Sequence, residues 1–165
     1  IYQKQDDGEE KLIGCAKTVW AVLDLNSREI VNVFDLPMFE NSVDGEVLTM
    51  ARTPKMQALH LGNLENGAVI LKADEILHEI QYSDVDYNRH CNSCKYLEWM
   101  VNASPFTDNT RPFRLDINYV KELYENDVMC TRFVKTSEST QYQQVDENGT
   151  TCCSAKISLI EKLSC

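Results

Sequence analysis

Long apolar runs are missing from this 165-residue chain. The longest are of the Ala68-Val69-Ile70-Leu71 kind, far short of the roughly 20 residues a helix needs to span a bilayer, so no membrane span is expected. Basic charge is also scarce: 16 Lys and Arg stand against 26 Asp and Glu, a formal net charge of −10. That sign repels phosphate backbones and argues against a nucleic-acid binder held by counterion release. No basic segment followed by an apolar core opens the chain, so no secretory signal is expected, and Ile1 in place of Met suggests a processed or cut chain. Low-complexity tracts are lacking too. What is present is 43% hydrophobic and 25% charged residues, enough to bury a core in one ordinary domain or one domain with an appendage.

The cysteines lack an even count. Cys15, Cys91, Cys94, Cys130, Cys152, Cys153 and Cys165 are spaced irregularly, which does not read as a disulfide framework. Cys91-Asn92-Ser93-Cys94 has a redox or zinc spacing, but zinc needs a second ligand pair. Cys152-Cys153 is poorly placed to supply it, because adjacent strand residues point to opposite faces. The reading is of small apolar residues filling a reduced interior, with no metal or other cofactor and a cytoplasmic location.

Along the chain, Asp6-Asp7-Gly8 signals a tight turn, followed by a β-rich stretch from Lys11 to Asp24, a turn at residues 25–28 and a strand over 29–33. Residues 35–66 read as a linker, with one short helix after Pro37, and 68–81 as extended chain. Over 92–102, Cys94, Leu97, Met100 and Val101 recur at helical steps, with Asn92 or Ser93 as cap and Ser104-Pro105 as stop. Phe113 to Tyr119 alternates apolar and polar residues as a half-buried strand does. Strands over 128–134, 140–146 and 150–161 follow, the last two joined at Asn148-Gly149. One apolar helix and one strand-rich sheet imply an α+β fold, a sheet curled around a central helix. The first residues read as the tail of an earlier domain.

The stretch from Ser83 to Tyr96 carries chemistry. Its polar groups stand at a helix start, where free N–H groups and the dipole favour developing negative charge. Asp86 or His90 can act as acid or base, and Asn88 can hold a water or a carbonyl. A loop whose Asp and Asn only make turn and cap hydrogen bonds fits the same residues.

Asp86-x-Asn88-x-His90-x-Asn92-x-x-Lys95-Tyr96 resembles the signature of the acyl-acyl-carrier-protein thioesterases, enzymes built from two hotdog folds in tandem. Leu115 to Glu122 is similar to that family's strand ending in a functional glutamate, and Ala16 to Leu23 with Ser27-Arg28 to the last strand of its first hotdog. The resemblance implies a hotdog over residues 67–165, a linker over 35–66, and over 1–34 the closing hairpin of an incomplete first hotdog. It implies catalytic roles for Asp86, Asn88, His90 and Glu122, and substrate contacts for Asn92, Lys95 and Tyr96. Where some members follow the glutamate with a cysteine, this chain has Leu123, which excludes a covalent thiol mechanism there.

The implied reaction is hydrolysis of a long-chain acyl thioester by activated water. Either Glu122 or Asp86 takes the proton, His90 positions water or substrate, and the helix amides with Asn88 hold the thioester oxygen. The implied partner is acyl carrier protein bearing acyl-phosphopantetheine. This partner is acidic, so Lys95, Arg111, Arg114 and Lys121 are candidates for a local basic patch. The alternatives are an acyl-CoA thioesterase and a non-catalytic acyl-binding hotdog. A homodimer is expected to cover the sheet left open by the missing half. Trp20 and Trp99 are expected to pack or to make subunit contacts, and His60 and His78 to be structural or surface residues. Strict alternation puts Glu122 on the Arg114/Asp116/Asn118 face, so either a bulge re-aims it or that face lines the site.

Overall fold

The computed structural model describes residues 1–24, 26–27, 29–32, 35–37, 55, 76–104 and 111–161. The short helix after Pro37, His60, most of the 35–66 linker, the 68–75 part of the extended segment, Pro105 and Cys165 lie outside them. The described residues fall into two compact units, one within Ile1–Arg52 and one within Thr53–Lys162.

The first unit holds two small antiparallel hairpins. β1 (Tyr2–Lys4) pairs with β2 (Glu10–Leu12), turning at Asp6-Asp7-Gly8. Gly8 stands at φ +89, a backbone conformation that residues with a Cβ rarely adopt. β3 (Val22–Leu23) pairs with β4 (Ile30–Val31), and Asp24 Oδ1 accepts the N–H groups of Asn26 and Ser27. The long strand expected over 11–24 is therefore two short pieces. Trp20 does not pack: it is 84% exposed, its Nε1 donating to Thr18 Oγ1. Cys15 is disulfide-bonded, which overturns the expectation of seven reduced thiols and removes the cysteine argument for a reducing compartment.

The second unit is one antiparallel sheet carrying one helix. Its strands are β5 (Ile76–Glu79), β6 (Phe113–Tyr119), β7 (Val128–Lys135), β8 (Ser139–Asp146) and β9 (Thr151–Leu159), in the order β5-β7-β8-β9-β6. The helix α1 spans Ser93–Ala103, and Asn92 caps it by accepting from Cys94 N–H at 2.9 Å, a contact worth about 1 kcal/mol. Its buried face is Tyr96, Trp99 and Met100, not a stripe through Cys94, which is exposed. The two aromatic rings set that face, because each buries more surface than a cysteine.

Register lays Phe133, Tyr142, Ala155 and Ile117 in one row across the sheet, and all four join the helix residues in the core or pack against it. Tyr142 is fully buried and its hydroxyl donates to the Ser104 carbonyl at 2.8 Å, fixing the end of the helix. Gln144 Nε2 donates to the Tyr96 carbonyl at 2.9 Å. Between β8 and β9, Asp146 Oδ1 accepts from Asn148 and Thr150, and Gly149 has φ +78.

The ladder slips beside that turn. Gln144 pairs with Cys153 and Val145 with Thr151, so Cys152 is passed over. The bulge explains why Cys152 and Cys153 are both fully buried although strict alternation would separate them. No described helix is long and apolar enough to cross a membrane.

Candidate active site

Two segments of the second unit make the site. The first leaves β5 through a single 3-10 turn, Tyr82–Asp84, and returns on itself before α1. Val85 bridges Cys91, and Asn92 N–H donates to the Asp84 carbonyl at 2.8 Å. Within that neck, Asp86 Oδ1 accepts from Asn88 N–H at 2.8 Å and His90 N–H at 3.3 Å, while Asp86 N–H reaches the His90 carbonyl at 2.8 Å. The carboxylate thus sculpts the loop, the self-bonding use that aspartate has in turns. Arg89 closes it at φ +64, a left-handed conformation costing about 1 kcal/mol for a residue with a Cβ.

The second segment follows β6. Past the end of β6 the Cys152 carbonyl of β9 accepts two successive donors, Val120 N–H at 2.8 Å and Lys121 N–H at 3.0 Å. Two residues thus oppose one, a bulge in the continuation of β6 that breaks its alternation before Glu122. Leu123 then enters the core, 1% exposed. Its carbonyl accepts from Cys91 N–H at 2.7 Å, and Tyr124 bridges His90.

These backbone contacts bring His90 Nδ1 to 3.5 Å from Glu122 Oε1. Tyr124, which the sequence reading missed, adds its hydroxyl 3.3 Å from Glu122 Oε2 and sets its ring edge-on to His90 with centroids 5.1 Å apart. No local pattern marks Tyr124, because its partner His90 is 34 residues away in the chain and the two meet by an isolated bridge.

Asp86, Asn88, His90 and Glu122 therefore belong to one pair of adjoining segments, while Asn92 serves as helix cap. Cys94 N–H is taken by the Asn92 side chain and Lys95 N–H by the Asn92 carbonyl at 2.9 Å. These two amides are thereby engaged within the helix start itself. Tyr96 is 3% exposed and lies in the core, where burial raises its hydroxyl well above the usual phenol range.

The cations expected to form a patch are each engaged by acids. Lys95 lies 3.1 Å from Glu98 and 3.5 Å from Asp84, Arg111 3.5 Å from Glu138, Arg114 2.8 Å from Asp116, and Lys121 2.6 Å from Asp146. The exposed cation of the site loop is Arg89, beside Tyr87, which is 96% exposed.

Cys91 is buried, and burial pushes its thiol up to about 12, the opposite of what a redox-active or metal-binding thiol needs. Among the described residues no cluster of three or more His, Cys, Asp or Glu is set to hold a metal ion.

A helix laid on a five-stranded antiparallel sheet in this order is a hotdog fold. Comparison of the sequence with family models matches residues 67–161 to the acyl-ACP thioesterase C-terminal domain. The chain belongs to the acyl-ACP thioesterase family. Solved structures agree on the fold. A 12:0-ACP thioesterase from Umbellularia californica is 17% identical with a TM-score of 0.60, over 85% of this chain and 53% of its own. An acyl-ACP thioesterase from Bacteroides thetaiotaomicron is 17% identical with a TM-score of 0.57, over 84% of this chain and 53% of its own. A putative oleoyl thioesterase from Lactobacillus plantarum is 16% identical with a TM-score of 0.51, over 86% and 55%. The chain thus spans about half the length of these three structures. No curated protein matches the sequence.

Proposed function

We propose that this chain carries the hydrolytic site for a long-chain acyl thioester borne on the phosphopantetheine of acyl carrier protein, yielding free fatty acid and the carrier thiol. The observation that carries the reading is the approach of Glu122 Oε1 to His90 Nδ1 at 3.5 Å within a chain whose residues 67–161 match the thioesterase domain. A carboxylate at Nδ1 leaves Nε2 as the ring nitrogen for a water.

His90, oriented by Glu122, takes a proton as the water oxygen attacks the thioester carbonyl carbon. The C–S bond then breaks, and the proton passes to the departing thiolate. Asp86 acts by shaping the loop, since its Oδ1 already holds two backbone N–H groups. The exposed amide of Asn88 is the donor proposed for the carbonyl oxygen. No cofactor enters the step.

Hydrolysis of matched acyl-carrier and acyl-CoA thioesters tests this. Glu122→Gln and His90→Ala are each expected to lower kcat by about 10²- to 10⁴-fold without moving the melting temperature. Equal or better turnover of the CoA ester would make the chain an acyl-CoA thioesterase, and acyl binding without turnover a non-catalytic module.

Within the same reading, residues 1–34 are the closing hairpin of a first hotdog, 35–66 a linker and 67–165 the full hotdog. Exposed Val19, Trp20 and Ile30 in the first unit support a covering partner, proposed to be a second copy in a homodimer. Sedimentation as a monomer at micromolar concentration would reject the dimer.

A further inference from the structure

We propose that Tyr124 is a positioning residue for the His90–Glu122 pair, its hydroxyl holding one carboxylate oxygen of Glu122 so that the other faces the imidazole. The two oxygens are divided in that way: Oε2 lies 3.3 Å from the Tyr124 hydroxyl and Oε1 3.5 Å from His90 Nδ1.

The backbone makes the arrangement specific. Glu122 and Tyr124 flank Leu123, which is buried in the core, and their side chains meet outside it. Tyr124 is held at both ends, by its bridge to His90 and by its own N–H donating to Asp127 Oδ2 at 2.9 Å. Its ring also meets the His90 ring edge-on at 88°, so one side chain touches both members of the pair.

The need for such an anchor follows from exposure. The Glu122 side chain is 48% exposed, and a glutamate in that setting samples many rotamers. A second contact restricts those rotamers to the ones aimed at His90, and effective orientation of this kind is worth large factors in rate.

Tyr124→Phe keeps the ring against His90 and removes only the hydroxyl. In the full chain, imidazole ¹⁵N shifts of His90 are expected to show a reduced share of the Nδ1-protonated tautomer in the variant, because the carboxylate that favours it is released. On the thioesterase reading, on which the kinetic arm rests, kcat falls roughly 10-fold with KM unchanged. Adding Tyr124→Phe to Glu122→Gln should cause no further loss.

An unchanged tautomer share in a variant that melts like the parent overturns the proposal, as does an additive loss in the double variant. Absence of thioester hydrolysis in the parent chain would defeat the functional reading instead, and the tautomer measurement would still decide the role of Tyr124.

Discussion

Lys121 Nζ lies 2.6 Å from Asp146 Oδ2, so the turn joining β8 to β9 is tied to the segment that carries Glu122. The ammonium, with the Thr150 N–H, holds the Asp146 carboxyl below its ordinary 3.8, and the same bond holds Lys121 above its ordinary 10.5. In acid the folded chain therefore binds fewer protons than the unfolded chain, and in alkali it binds more.

The tie contributes fully between pH 3.8 and 10.5. It is lost as pH falls through the folded value of Asp146, or rises through that of Lys121. Asp146→Asn is expected to lower both the melting temperature and kcat at pH 7. In melts taken at successively lower pH below 3.8, the gap between parent and variant should narrow; a gap that stays constant would reject the assignment.

Leu123 sits in the core immediately after the glutamate. Leu123→Ala is expected to cost about 2–5 kcal/mol, as buried leucine truncations do, read from denaturant titration. Leu123→Cys should stay active and lose activity to iodoacetamide no faster than the parent, whose exposed Cys94 is already open to the reagent, because a thiol at 123 is buried. Inactivation faster than the parent's would contradict the placement.

His78 stacks on Trp99 at 5.0 Å between ring centroids. Burial lowers the affinity of its imidazole for a proton, with Asp84 opposing in part. The unfolded chain then takes up a proton near 6.5 that the folded chain resists, so stability declines as pH drops below that value and levels off once the folded state is protonated. Melts at pH 7.5 and 5.5 should show the decline in the parent and a smaller one in His78→Phe.

Arg89 is the cation next to His90 in the site loop. Arg89→Glu is expected to raise KM for acyl carrier protein substrates about 10-fold at low ionic strength, with the effect shrinking as salt is added. A KM insensitive to both charge and salt would show that the carrier docks elsewhere.

The parts legible in the sequence are those with a local cause. The strand Phe113–Tyr119 was readable because alternation is a property of one strand, though its buried residue is Asp116 while Phe113 and Tyr119 are exposed, and α1 was readable because Asn92 caps its own helix start. Glu122 was not readable from its strand, since its direction depends on a carbonyl at Cys152, thirty residues on. The cations misled for the same reason: Lys121 and Arg111 look available until Asp146 and Glu138 arrive from other strands. The stripe through Cys94 failed by one step, because Tyr96 and Trp99 outweigh smaller residues in choosing the buried face. The signature named His90 and Glu122, which lie side by side, together with Tyr96, which lies in the core, while Tyr124 needed the three-dimensional neighbour.

Because Val120 and Lys121 both hang on the Cys152 carbonyl, the reach of the Glu122 carboxylate is inherited from a strand with no chemistry of its own. An insertion or deletion in β9 would therefore shift the His90–Glu122 distance while leaving every signature residue untouched. A search for the signature alone would miss the change.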